Sequence, residues 1–385
     1  MKSAEENEKH KVPRKWVGCE LESAYFGDER KHGRAERKLA SAKDRSKYKK
    51  TDQRKQANQE QKDLVETDDL KKGRVLSIAS QGIIVEANGD MLSCTLRGAL
   101  KKDKTLLKNL VVVGDFVLFS QSDQKEGLIV QVEPRRTVLS RADNLSRRKE
   151  QLIAANIDQV IITASVVSPE LKPSLIDRYI IATQKGGMEP IIVVNKIDLL
   201  TAPDQDPIVQ EADKEMFEEL MKAYKAVHIP VIPVSVQTGE GMDALRQAMK
   251  GKSSVFSGQS GVGKSSLINT ITGKSLRIGD MVGKTNKGSH TTTTAQLIPL
   301  DSGGWCIDTP GIKSFGVWNL DKDEVKCYFP EISAYGHKCH FPDCSHHHET
   351  GCAVIEAVER GDISWLRYES YLMLKQSVAE DHCRR

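Results

Sequence analysis

The tetrapeptide Asn195-Lys196-Ile197-Asp198 stands ahead of the glycine-rich run Gly258-Gln259-Ser260-Gly261-Val262-Gly263-Lys264-Ser265, and that order limits what this chain can fold into. The glycine run fits G-x-x-x-x-G-K-[ST]. It follows a short strand, Ser253 to Ser257, and precedes the helix-forming run Ser266 to Ile271, which Gly273 is placed to end. That context marks a phosphate-binding loop. The tetrapeptide likewise follows an apolar strand, Pro190 to Val194. In the usual nucleotide-binding arrangement the phosphate loop comes first. Two complete motifs in the opposite order describe the same sheet with its connectivity circularly permuted, so that the site stays and the chain ends move.

The chemistry of each motif follows from its residue types. Glycines let successive backbone N–H groups turn inward around a phosphate, and the following helix N-terminus adds positive potential. Lys264 reaches the outer phosphate oxygens and Ser265 offers a hydroxyl to Mg²⁺. The phosphate-binding candidates are Gly258, Gln259, Ser260, Gly261, Val262, Gly263, Lys264, Ser265 and Ser266. Such a loop alone leaves ATPases and nucleotide kinases open. The tetrapeptide narrows the base to guanine, whose N1–H and 2-amino group are two donors that one carboxylate, Asp198, can accept together. Asn195 can bond the purine edge and tie neighbouring loops, the stem of Lys196 can cover the base, and Ser235, after strand Pro230 to Val234, can support it from the backbone.

Downstream, Asp308-Thr309-Pro310-Gly311 matches D-x-x-G, in which the aspartate holds Mg²⁺ through water and the Gly311 amide senses the γ-phosphate. Between loop and strand lies Gly288-Ser289-His290-Thr291-Thr292-Thr293-Thr294, where a switch belongs. A threonine hydroxyl there, Thr292 first among the four, can complete the magnesium shell. Ile312 stands where many such sites carry a water-orienting glutamine. His290 is therefore the candidate for that task, the alternative being a histidine that merely bonds a backbone carbonyl.

Cys339-x4-Cys344-x-His346-x5-Cys352 supplies three thiolates and one imidazole, a complete tetrahedral zinc shell with no position left for water. A closed shell is structural. His340, His347 and His348 compete for the histidine position. The spacing lacks C-x-x-C, which disfavours a redox pair. Eight cysteines in 385 residues, three of them in this cluster, fit a reduced compartment.

Residues 1–70 read as a basic arm that cannot build a core. From Arg30 to Lys55 twelve Lys or Arg face only Glu36, Asp44 and Asp52, so the net charge of +4 belongs to the arm. Over 71–134, five short strands with the hairpin signal Asn88-Gly89 suggest an OB-type β-barrel, although SH3-like barrels read similarly. The basic stretch Arg135 to Arg141 links it to an α/β segment over 135–320, where apolar strands alternate with amphipathic stretches such as Ser174 to Gln184 and Glu211 to Ala226. Residues 321–385 read as a helical zinc-binding domain with a core of its own. No apolar run approaches the ~18 residues of a membrane span, and the first residues lack a secretory stretch, so the expectation is a cytosolic chain with no membrane partner.

This order of barrel, Asn195–Asp198 motif, Gly258–Ser265 loop, His290 switch, Asp308–Gly311 and Cys/His cluster resembles the circularly permuted GTPases of the ribosome small-subunit-dependent GTPase A family over roughly residues 70 to 375. Connecting segments share the resemblance: Ala155 to Gln159, Ile176 to Tyr179 and Tyr328 to Glu331. It implies hydrolysis of GTP to GDP with Mg²⁺, slow alone and stimulated by the 30S subunit, late in maturation of that subunit. It also implies contact of the barrel and zinc domain with 16S ribosomal RNA; a monomer with one structural Zn²⁺ is expected. The arm is left to its charge, which points to phosphate-directed RNA binding against the alternative of a solubilising tail. Two other readings stand beside this one. A nucleotide kinase is disfavoured by the guanine motif, and an RNA-binding module would use GTP mainly as a conformational ligand.

Overall fold

The computed structural model describes residues 70–79, 82–97, 110–123, 125–142, 150–203, 205–273, 295–308, 320 and 323–383; the basic arm and the segments carrying His290, Thr292 and Gly311 lie outside them. Strands β1 (Lys71–Ala79), β2 (Gly82–Ala87), β3 (Asp90–Leu96), β4 (Phe116–Asp123) and β5 (Glu126–Val132) run in the order β1-β2-β3-β5-β4, and β4 pairs back to β1. Only β3 and β5 are parallel, which is the closed OB-type arrangement. Alternation builds its core: Ile83, Val85 and Ala87 of β2 turn inward to meet Leu92, Cys94, Val117, Phe119 and Ile129. Asn88 and Gly89 both take positive φ, 54° and 90°, as a two-residue hairpin turn of the primed type requires.

Two local expectations change. The run Val111 to Leu118 has the composition of one of the five barrel strands, yet β4 starts only at Phe116. Gly114, at φ 89°, abuts the Ala155 carbonyl, and the Asp115 carboxylate accepts from the Val112 N–H at 2.8 Å, so the three valines form a buried bend. The basic linker is likewise partly strand: β6 (Val138–Ala142) pairs antiparallel with β7 (Glu150–Ala155), and Leu139 is buried in the main core.

Beyond the linker come β8 (Gln159–Ala164), α1 (Pro173–Lys185), β9 (Glu189–Val194), α2 (Pro207–Ala226), β10 (Val231–Pro233), α3 (Met242–Met249), β11 (Ser253–Gly258), α4 (Lys264–Ile271), β12 (Gln296–Pro299) and β13 (Trp305–Asp308). In space the strands run β10-β9-β8-β11-β13-β12, all parallel except β12. Successive side chains leave opposite faces. Val160, Ile162, Ile192, Val194 and Val255 pack with α1 and α2, whereas Ile161, Ile191, Val193 and Phe256 pack with α3 and α4. Helices on both faces of a parallel sheet make it doubly wound. Chain order shows the permutation, since β8, β9 and β10 fill one side before β11 enters the middle. Strand β1 also pairs with β12 at Ser77 and Gln296, joining barrel and sheet. An irregularity between Val75 and Ser77 sends Val75 into the barrel core and Leu76 into the core under the sheet.

The C-terminal helices α5 (Pro330–Gly336), α6 (Ala353–Glu359) and α7 (Trp365–Cys383) surround Val325, Phe329, Val354, Ile363 and Tyr371. This core is not the separate one expected from sequence. Ile181 of α1 belongs to it, and Leu366 of α7 belongs to the core under the sheet. At the junction Arg367, 2% exposed, bonds Asp177 of α1 and, at 2.7 Å, Glu331 of α5, with its guanidinium 4.3 Å from the Phe329 ring centroid. Burial raises the pKa of Asp177 and the Arg367 charge opposes the shift. Deleting one partner of such a pair leaves the other charge stranded, at a cost of about 3–5 kcal/mol. Among the described residues no helix is long and apolar enough to cross a membrane.

Candidate nucleotide site and Cys/His cluster

The loops after β8, β9, β10 and β11 leave the same edge of the sheet, the carboxyl edge where open α/β sheets hold ligands. The β11 loop is tightly constrained. Gly258, at φ 141°, packs so closely on the Thr163 carbonyl of β8 that a Cβ would collide with it. Gly263, at φ 93°, caps α4, and a Cβ there would strike the Asn195 amide. Lys264, the first residue of α4, spans the loop and donates to the carbonyls of Gly258 and Gln259 at 2.8 and 2.6 Å. Val262 is buried, while Ser260, Gly261, Ser265 and Ser266 stand exposed on the rim.

The tetrapeptide after β9 is fastened to that loop. Asn195 is buried and donates from Nδ2 to the Val262 carbonyl at 2.9 Å. Lys196, held at φ 66°, donates from Nζ to the carbonyls of Gly261 and Ser168 at 2.7 Å each. Its ammonium therefore ties three loops together, a task beyond the covering role that its stem suggested. Ser235 also takes part through its side chain: its hydroxyl donates to Asp198 Oδ1 at 2.5 Å. These bonds fix the spacing between the Asn195–Asp198 motif and the Gly258–Ser265 loop. Ser235→Ala is expected to weaken GDP binding about tenfold by letting the Asp198 carboxylate rotate. Titration with fluorescent GDP checks this, and wild-type affinity would mean that Asp198 is oriented by another group.

The backbone of Asp308 ends β13, beside β11 at this same edge, although its side chain is outside the described residues. His290, Thr292 and Gly311 lie outside them altogether.

The ligand atoms of Cys339, Cys344, His346 and Cys352 all lie within 4.8 Å of one another. His346 Nδ1 is 3.5 Å from both Cys339 Sγ and Cys352 Sγ. The competing histidines turn elsewhere. His340 stacks edge-on against Phe341, and His347 and His348 meet each other, Nδ1 to Nδ1, at 2.9 Å. Burial pushes the Cys344 thiol up to about 12, opposed by a hydrogen bond from the His346 backbone and reinforced by Cys352 and Cys339, while burial and Lys375 lower the His346 pKa and favour neutral imidazole. Neutral imidazole is the ligating form, and a divalent cation among the sulfurs supplies the charge that thiolates need, so this donor set fits zinc.

Two kinds of participant escaped the sequence reading. Ser168 contributes only a backbone carbonyl, which has no signature. Glu349, Tyr368 and Lys375 around the cluster are common surface residue types whose roles arise where a loop meets α7.

A phosphate loop and a guanine tetrapeptide interlocked at the ends of β11 and β9, the two strands that flank β8, yet met in inverted order along the chain, define a circularly permuted GTPase. Residues 132–318 match the RsgA GTPase family and residues 72–129 the RsgA N-terminal domain. The small ribosomal subunit biogenesis GTPase RsgA of Chlorobaculum tepidum is 41% identical over 320 residues, spanning 80% of this chain and 98% of that protein. The chain belongs to the RsgA GTPase family. The RsgA of Sodalis glossinidius is 37% identical over 327 residues, 80% of this chain and 89% of that one. Among solved structures, YjeQ from Thermotoga maritima matches with a TM-score of 0.62 at 33% identity, covering 80% of this chain and 99% of its own. YloQ, described as a circularly permuted GTPase, matches with a TM-score of 0.61 at 25% identity, covering 82% and 97%.

Proposed function

We propose that this chain binds GTP with Mg²⁺, docks on the small ribosomal subunit late in its maturation, and hydrolyses GTP in response to that docking. The observation that carries the reading is the clamp from Asn195 and Lys196 to the phosphate loop, with Asp198 held by Ser235: it sets a guanine-selective group at fixed distance from a triphosphate cradle. The relatives' names, which specify small-subunit biogenesis, supply the partner. Ser265, Thr292 and Asp308 hold the magnesium ion, and the Gly311 amide registers the γ-phosphate. Water adds to the γ-phosphorus as the bond to the β,γ-bridging oxygen breaks, giving GDP and phosphate. His290 positions that water, because the Ile312 side chain has no polar atom to do so.

Cys339, Cys344, His346 and Cys352 hold one structural zinc. The working parts are the barrel over 71–134, the permuted domain over 135–320 and the zinc-binding helices over 321–385. The barrel and the zinc region face 16S ribosomal RNA, and the basic arm over 1–70 adds contacts to phosphates. The protein acts as a cytoplasmic monomer. His290→Ala is expected to keep GTP affinity within about twofold and to lose about 10²–10⁴-fold of subunit-stimulated turnover, because water positioning acts on the transition state. Stimulated phosphate release at the wild-type rate would move that role to another group.

A further inference from the structure

The loop that presents His346 is organised by one carboxylate. Glu349 accepts the backbone N–H of Ser345 at 2.7 Å and the Ser345 hydroxyl on one oxygen, and on the other the N–H groups of His347 at 2.9 Å and His348 at 3.2 Å. His346 sits between these anchored residues at φ 62°, a left-handed conformation that is strained for a non-glycine residue. The Tyr368 hydroxyl holds the His346 carbonyl at 2.6 Å, and Lys375 holds the Ser345 carbonyl at 3.2 Å. The ring so placed directs Nδ1 at the sulfurs. A metal-ligating histidine is normally oriented by a carboxylate or carbonyl bonded to its other ring nitrogen. Here the carboxylate grips the backbone on both sides of the histidine instead.

We propose that Glu349 is a positioning residue of the metal centre, which holds His346 in its left-handed conformation with Nδ1 toward Cys339 and Cys352 and keeps the metal from leaving. This rests on the zinc reading above. Glutamine at 349 keeps the size of the side chain but turns an amide nitrogen either to the His347 and His348 N–H groups, which loses both bonds, or to Ser345, which loses its N–H bond and reverses the hydroxyl bond. The loop then relaxes and His346 becomes a poorer ligand, while the three thiolates remain.

The test uses the full-length protein purified with zinc. Zinc content is measured first, then the rate of zinc transfer to a chromophoric chelator for wild type, Glu349→Gln, His346→Ala and the double variant. The expected result is about one zinc per wild-type chain and release about 10–100-fold faster for Glu349→Gln. In the His346→Ala background Glu349→Gln adds nothing further, because the carboxylate acts through that histidine. Should Glu349→Gln fail to fold, Ser345→Ala, which removes a single bond, is expected to accelerate release by a smaller factor with the same dependence on His346. Zinc-free wild-type protein would overturn the zinc reading itself and this inference with it. Normal zinc content with unchanged release, or the same acceleration with and without His346, would overturn only the role of Glu349.

Discussion

Asp198→Asn is expected to lower GTP affinity by about two to four orders of magnitude and to raise affinity for XTP. The direction follows from the hydrogen bond that Ser235 makes. Its hydroxyl donates to Asp198 Oδ1, so in the asparagine variant the amide oxygen takes that position and the amide nitrogen takes the other. A donor then faces the 2-substituent of the purine. Guanine presents a donor there and is repelled, whereas the 2-oxo group of xanthine accepts. Competition titrations of GTP, XTP and ATP against fluorescent GDP check this. Unchanged GTP affinity would remove Asp198 from the base site.

The second large effect is expected at the metal. Cys344→Ser should reduce bound zinc from one per chain to near zero, because a four-ligand site loses a thiolate that no neighbouring histidine replaces: His340, His347 and His348 all face away. Structural zinc in small sites contributes on the order of 10 kcal/mol of apparent folding free energy, so α5 and α6 should unfold with its loss. The damage should spread further than a separate domain would allow. Ile181 is shared with the C-terminal core, and Arg367 binds Asp177 of α1 and Glu331 of α5 together. Loss of order around Glu331 removes one of the two carboxylates that neutralise a buried arginine, and α1 should loosen in turn. Hydrogen exchange of wild type and variant reads this directly. Faster exchange in α1 as well as in α5 and α6 is the expected pattern; acceleration confined to the C-terminal helices would show that the shared core does not couple them.

Much of this was legible from local sequence, because a local signal had a local cause. The Asn88-Gly89 hairpin, the apolar strands that lead into the site and the start of α4 at the phosphate loop all follow from short-range geometry. What escaped depended on distant partners. Val111 to Val113 look like strand by composition but bend because Gly114 must approach Ala155, a contact set by how barrel and sheet meet. The basic run at 135–141 reads as a linker, yet Val138 and Leu139 find a partner strand in β7. Lys196 fits a base-covering role by type, and only the packing of three loops reveals that its ammonium binds two carbonyls. Of the competing histidines, spacing could not select one; the turn at Glu349 does.

The most direct test of the account is GTP turnover by the full-length protein measured alone and with purified small ribosomal subunits, with ATP in parallel. Slow release of phosphate from GTP alone, a rise of at least about tenfold on adding subunits, and no release from ATP under either condition are the expected results. Equal rates for GTP with and without subunits, or turnover of ATP at a rate comparable to that of GTP, would contradict the account.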